Sequence, residues 1–309
     1  MASGVASEKV RQHLVSRALL KRFREPGETE SGLVGVLDVV TGRTLQAKST
    51  KAIGFMPRYI KHRANYMESL WSEVEDLLPA AFAELDEKPE QLSPESARTV
   101  ADCAALHFVR SHQSRRAHES AFAETVQRFR GDRMALVRLA KLKYGLELEY
   151  ADSVLNDLAE DMLMDFRAVY ESGELFQQRQ EEHFEKARRH MSTMPLTVLH
   201  AADHAEFIVG DCPAAGIGPS APTGVRAALF DASAILMPLG PKALAVFGPA
   251  SPDAPAPVGP DVARVVNRAQ IAQAFRQVYY RRISGQAWVE RGYRPPIVGV
   301  GEGTPSGLR

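Results

Sequence analysis

The polar groups hardest to explain as surface lie between residues 98 and 118. Val100, Ala101, Cys103, Ala104, Ala105, Leu106, Phe108 and Val109 make every side of a helix apolar, and such a helix is buried all round. His107 lies inside that run, and Arg110 follows it on the same face. On a helical wheel Cys103, His107, Arg110, Ser111 and Ser114 fall within roughly 80° of one another, with Arg115 and His118 flanking the stripe. An unpaired charge in a core costs several kcal/mol, so these side chains require partners. They mark either a structural ion-pair network or an internal site. Arg favours flat oxyanions, carboxylate or phosphate, through its bidentate fork.

Two other segments hold candidate groups. Phe207-Ile208-Val209 reads as a β-run ending in Gly210-Asp211-Cys212-Pro213. This places the Asp211 carboxylate at a strand's end, where a rigid element meets a variable loop. The competing reading is that Asp211 caps its own turn through the backbone. Residues 7–24 read as a helix starting at Ser7, with Leu14, Val15, Ala18 and Leu19 on one side and His13 and Arg17 on the other. Arg22 falls inside the apolar stripe, so it either faces solvent at the helix end or meets a buried anion.

The elements that must position these groups follow a readable order. Residues 33–40 and 43–48 form a hairpin around Thr41-Gly42. A long amphipathic helix is expected over 64–86. Ser93-Pro94 opens another, with Ser93 as cap and Pro94 first in the helix, running to about His118. Further helices are expected at 119–130, 132–143, 147–170 and 172–191, with breaks at Gly131-Asp132 and Gly145. After Met194-Pro195 the runs LTVLHA, EFIVGD, AALF, AILMPL and ALAVFG have strand grammar. The Gly/Pro-rich stretches at 210–224 and 250–260 read as loops, and a last helix is expected at about 260–283.

Composition bounds what the chain can be. It has 309 residues, 45% of them hydrophobic, with 38 basic and 38 acidic side chains and two cysteines. That is a globular composition, and it lacks the basic excess of a protein that coats nucleic acid non-specifically. Charge is uneven locally, with 12 basic and 5 acidic residues between Glu8 and Arg63, but 2 basic and 12 acidic between Glu147 and Glu185. No run of about 18 apolar residues exists, and the N-terminus has no apolar signal core. A cytoplasmic protein with no membrane segment is the expectation.

Several chemistries find no signature. There is no Gly-rich phosphate loop ending in Gly-Lys-Ser/Thr, no Gly-x-Ser-x-Gly elbow and no His-Glu-x-x-His. Cys212 beside Asp211 reads as a buried thiol rather than a nucleophile. His200 and His204 have the spacing of a metal pair, but Ala201-Ala202-Asp203 reads as a turn. No metal ligand is therefore assigned, and the sequence names no cofactor either way.

Residues 12–23, QHLVSRALLKRF, resemble the opening signature of domain-of-unknown-function family 4238, roughly His-His-x-Val-Pro-x-x-Tyr-Leu-x-x-Phe. The helix LHFVRSHQSRRAH, the strand EFIVGDCPA with its Asp-x-Pro turn, AILMPLGPKALAVF and the closing VVNRAQIAQAFRQVYYR are similar to later landmarks of that family, in order. The likeness runs from about residue 9 to 282. It departs at Gln12, Ser16, Leu19 and Gly210, where the family tends to have His, Pro, Tyr and Ser. The matching positions include His13, Arg22, Phe23, Arg110, Asp211, Pro213, Pro238 and Asn267.

The expectation is an α+β protein, a predominantly helical body packed on a small, mostly antiparallel sheet. A single domain over 1–285 would carry a helical insertion at about 60–192, followed by a tail at 286–309. His13, His107 and Asp211 are the candidate catalytic residues. Arg17, Arg22, Arg110 and Arg115 are candidates for binding substrate, and the resemblance adds Asn267. Such a set suits an anionic small molecule or nucleotide, with His and Asp as base and orienter while Arg stabilises developing charge. The function expected is a hydrolase or transferase acting on a phosphate-bearing substrate, a nucleotide or nucleic acid, in microbial defence. The alternatives are a non-catalytic module whose charges are structural, or an enzyme acting on a small carboxylated metabolite.

Overall fold

A computed structural model describes residues 11–27, 32–89, 92–144, 152–218, 227–249 and 257–284. The chain begins with β1 (Arg11–His13), α1 (Arg17–Lys21), β2 (Leu33–Asp38), β3 (Arg43–Ser49) and β4 (Phe55–Pro57). Then come α2 (Ala64–Glu75), α3 (Leu78–Glu87), α4 (Pro94–Val109) and α5 (His112–Gly131). They are followed by α6 (Arg133–Tyr144), α7 (Asp152–Ser172) and α8 (Glu174–Met191). The remainder holds β5 (Leu196–His200), β6 (Val209–Gly210), β7 (Ala215–Ile217), β8 (Ala234–Gly240), β9 (Ala243–Phe247), α9 (Pro260–Gln273) and β10 (Gln277–Tyr280). The fold is α+β, predominantly helical with small antiparallel sheets. No described helix is long and apolar enough to cross a membrane.

The chain divides into two compact units, residues 1–18 with 54–195, and residues 19–53 with 196–309; the division falls inside α1. The helical stretch 60–192 lies wholly in the first unit. The 286–309 tail lies outside the described residues.

In the first unit β1 pairs with β4, His13 opposite Phe55. This corrects the expected helix over 7–24, of which residues 7–10 are not described and only Arg17–Lys21 is helical. Gln12 is buried, and its amide exchanges two hydrogen bonds with the Ile60 backbone, 2.7 Å to the N–H and 3.2 Å to the carbonyl. Leu14 and Val15 both donate to Gly54 O. These non-local bonds override the local helical spacing. The expected helix 64–86 is two, because Pro79, at the start of α3, cannot donate to a preceding turn. α4 opens as expected, with the Ser93 hydroxyl accepting from Ser96 N at 3.2 Å and Pro94 first in the helix. It stops at Arg110 rather than near His118, because Ser111 turns extended and caps α5 through Ser114 N at 3.2 Å.

The second unit holds two four-stranded sheets, ordered β3-β2-β10-β6 and β5-β9-β8-β7. The expected hairpin is present as β2 and β3. Asp38 Oδ1 accepts from Val40 N and Thr41 N at 3.0 Å, and Gly42 closes the turn with a positive φ of 65°. The expected helix to 283 ends at Gln273, and the aromatic, β-branched run Val278-Tyr279-Tyr280 joins the sheet instead. Residues 210–224, expected as loop, include β7; residues 219–224 are not described.

Gly35 lies opposite Tyr280, and a Cβ there would meet the Tyr280 ring at 2.5 Å. Gly35→Ala is therefore expected to cost about 1–3 kcal/mol by overpacking, with Tyr280→Leu in the same chain recovering part of the loss. Urea unfolding of the three proteins checks this. A Gly35→Ala protein as stable as the parent would show that the β2–β10 contact is looser than described.

Candidate functional site

In the first unit a polar cluster forms where the end of β1 and the start of α1 meet the C-terminal turn of α4. His107 is fully buried, with Nδ1 2.8 Å from Cys103 O and Nε2 accepting from Ser16 N at 2.9 Å. That pairing assigns the ring proton to Nδ1 and leaves a neutral imidazole with both nitrogens satisfied. Burial and then the Arg110 charge bring its pKa down to about 4. His107 thus positions Ser16. Burial also pushes the neighbouring Cys103 thiol up, away from thiolate chemistry.

Arg110, at the α4–α5 corner, is 1% exposed. Its Nη2 is paired with the Glu75 carboxylate, and its guanidinium lies 4.9 Å above the Trp71 ring. Burial alone would raise the Glu75 carboxyl, but the charge and hydrogen bond of Arg110 bring it below the ordinary range. His13 is held by the β1–β4 pair, its ring edge-on to Phe55. Burial, followed by the charge of Arg110, takes its pKa down to about 4, with Glu75 pulling the other way and Arg17 adding to the fall. Four shielded polar atoms of this cluster, His13 Nε2, Ser16 Oγ, Arg17 Nε and Arg110 Nε, find no hydrogen-bond partner among the described residues. Buried polar groups are nearly always paired, so four such atoms in one cluster are a ligand signal.

The other sequence candidates are placed differently. Arg115 reaches Glu119 at 3.0 Å, donates to the Tyr59 carbonyl and lies 5.2 Å over Phe176. In the second unit Asp211 is buried, its Oδ1 accepting from Phe275 N at 2.7 Å and its Oδ2 from Arg276 N and Gln277 N at 2.8 and 2.9 Å. Burial raises its carboxyl and the three amides oppose that rise. Asn267 Oδ1 accepts from Ile208 N at 3.0 Å, and its Nδ2 donates to Glu206 O at 2.9 Å. Arg22 packs against Gly240, where a Cβ would meet its Nε at 2.9 Å. The structure therefore brings His13, Arg17, His107 and Arg110 together within one unit, while Arg22, Asp211 and Asn267 belong to the other.

Sequence reasoning missed Ser16, Trp71 and Glu75. Trp71 and Glu75 are four residues apart on α2, so a ring and a carboxylate share one face, and that spacing was the available signal. Ser16 had none, because its place depends on the His107 contact from a distant helix.

A family model described as "Protein of unknown function (DUF4238)" matches residues 11–284. No curated protein and no solved structure matches the chain.

Two outcomes are expected. The folded state resists protonating His107 until about pH 4, whereas the unfolded chain accepts that proton near 6.5. Its share of stability is therefore whole above pH 6.5 and shrinks as pH falls toward 4, by about 3 kcal/mol at most. Unfolding free energies at pH 7.5 and 4.5 should differ less in His107→Gln than in the parent; an unchanged difference would refute the assignment. Asn267→Ala should lose about 1–3 kcal/mol for each backbone group left unpaired. If that variant keeps full stability but loses ligand binding, the residue acts on a ligand instead.

Proposed function

The chain belongs to the DUF4238 family, and we propose that it is a hydrolase or transferase acting on a phosphate-bearing small molecule or nucleotide bound at His13, Ser16, Arg17 and Arg110. The observation that carries this reading is the set of four shielded, partnerless polar atoms on two guanidiniums, a hydroxyl and an imidazole. Arg110 and Arg17, with Arg11 adding less, act on His13 against Glu75 and leave net positive charge beside a neutral imidazole. A phosphoryl group carries about −1.5 to −2 at neutral pH, so it offsets that charge more fully than a carboxylate would and leaves His13 a stronger base.

In this scheme the Arg17 and Arg110 Nε–H groups and the Ser16 hydroxyl donate to phosphoryl oxygens, stabilising charge that develops there. His13 is a weak base in the free protein because burial and Arg110 oppose its protonation. A bound dianion offsets that field and restores its basicity. It can then take the proton of an attacking hydroxyl or water and return it to the leaving oxygen. A second reading, in which the charges serve stability alone, is favoured by one observation: Arg110 is already paired with Glu75 and packed on Trp71.

Phosphate release from a panel of ribonucleotides and p-nitrophenyl phosphate distinguishes these readings. His13→Ala should fold normally by circular dichroism and lose about 10²–10⁴-fold in rate. Folded His13→Ala that keeps the parent rate would refute the role of His13. A parent that neither turns over nor binds any of these compounds would leave the structural reading.

A further inference from the structure

The break at Arg110–Ser111 also opens a cleft. α8 packs along α4, while α5 turns away at the corner and packs on α6 and α7. Between α5 and α8 lies a cleft of about 140 Å3. α5 lines it with Ser114, Ala117, His118 and Ala121, which are spaced i, i+3, i+4 and i+7 and so share one helix face. α8 lines it at the same spacing with Phe176, Arg179, Gln180 and His183. Helices that close on one another fill such positions with large apolar side chains. Here two alanines face a guanidinium and an imidazole.

The polar groups of the cleft divide into engaged and available. Gln180 donates to Ser114 Oγ at 3.1 Å, and the Tyr59 hydroxyl donates to Gln180 Oε1 at 3.3 Å. His118 is held rigidly, its ring stacked on Tyr170 at 5.3 Å and against Phe176 at 5.0 Å. Its Nε2 is nonetheless shielded from solvent and has no hydrogen-bond partner among the described residues. Arg179 brings a cation to the lining of the cleft. Burial first, then the Arg179 and Arg115 charges, lowers the His118 pKa against Glu119, and burial first, then Lys186 and Arg179, lowers that of His183 against Glu182. A metal cation would have to overcome those charges, and an anion would be drawn in by them.

We propose that the α5–α8 cleft is a second binding site, for a small organic carboxylate. Its carboxylate pairs with Arg179 and accepts a hydrogen bond from His118 Nε2, and its apolar body lies against Phe176, Ala117 and Ala121. One guanidinium beside two neutral imidazoles matches a single negative charge, and the apolar wall favours an organic body over an inorganic ion. This site is independent of the one that binds the phosphate-bearing substrate.

Saturation-transfer NMR on the full chain, with benzoate, butyrate, acetate and inorganic phosphate as probes, tests the proposal. Benzoate or butyrate should bind at least tenfold more tightly than phosphate or acetate. Arg179→Gln should weaken that binding at least tenfold, and Ala117→Phe should block it by filling the cleft. Ala121→Leu serves the same purpose if Ala117→Phe does not fold. Arg17→Ala, in the other cluster, should leave it unchanged. The proposal is overturned if neither organic carboxylate binds, if phosphate binds as well, or if binding survives the cleft variants. It is equally overturned if binding is lost in Arg17→Ala, which would place the ligand at the first cluster.

Discussion

A guanidinium inside a protein is stable only when something offsets the water it has lost, and the first unit is arranged around that requirement at Arg110. Glu75 supplies the charge and Trp71 the π-face, both from one side of α2. The helix that carries Arg110 cannot continue past it, because α5 starts from the Ser111 cap. At that break the Tyr59 hydroxyl lies 3.4 and 3.1 Å from the carbonyls of Val109 and Ser111. Arg110 therefore sets the charge of the polar cluster, and the Ser111 cap beside it sets where α4 ends and α5 begins.

In the second unit a row of neutral amides joins the buried carboxylates in pairing the backbone. Asn267, Gln270 and Gln273 recur every three residues along α9 and are at most 3% exposed. Gln270 accepts from Gly210 N at 2.9 Å and donates to Pro213 O at 3.0 Å, and Gln273 donates to Gly216 O at 3.2 Å. With the Asn267 bonds to residues 206 and 208, α9 acts as a surrogate neighbouring strand for an irregular segment. The helix comes close enough that a Cβ at Gly210 would lie 3.0 Å from Gln270 O. Neutral amides avoid the desolvation penalty of charge, and beside them the buried Glu206 carboxylate is paired with Arg281 at 2.9 Å.

Sequence legibility follows the range of the forces involved. The β2–β3 hairpin, the Ser93-Pro94 helix start and the wholly buried α4 were readable because each is set by neighbours a few residues away. The strand at Arg11–His13 was not, since its partners, Ile60 and residues 54–57, are distant in sequence. The end of α9 was misread for the same reason: the Asp211 carboxylate collects the amides of residues 275–277 and stops the helix there. Among site candidates, burial of His107 and Arg110 could be inferred from the apolar run around them. Periodicity says which residues are buried, but not which buried groups lack partners, so His13 Nε2 and Ser16 Oγ emerge only in three dimensions.

The strand order of the second unit has a consequence for how the protein is made. β2 is flanked by its own hairpin partner β3 on one edge and by β10 on the other, and Val34 and Val36 are fully buried in the finished sheet. On a ribosome those residues emerge early, while β10 is still some 240 residues away from being synthesised. At typical elongation rates that interval is roughly ten to fifty seconds, during which the β2 edge has no native strand to pair with. The helical first unit, much of it built from contacts close in sequence, can form in the meantime. Nascent β2–β3 is thus exposed to mispairing along that edge until β10 arrives, an interval in which a chaperone would matter.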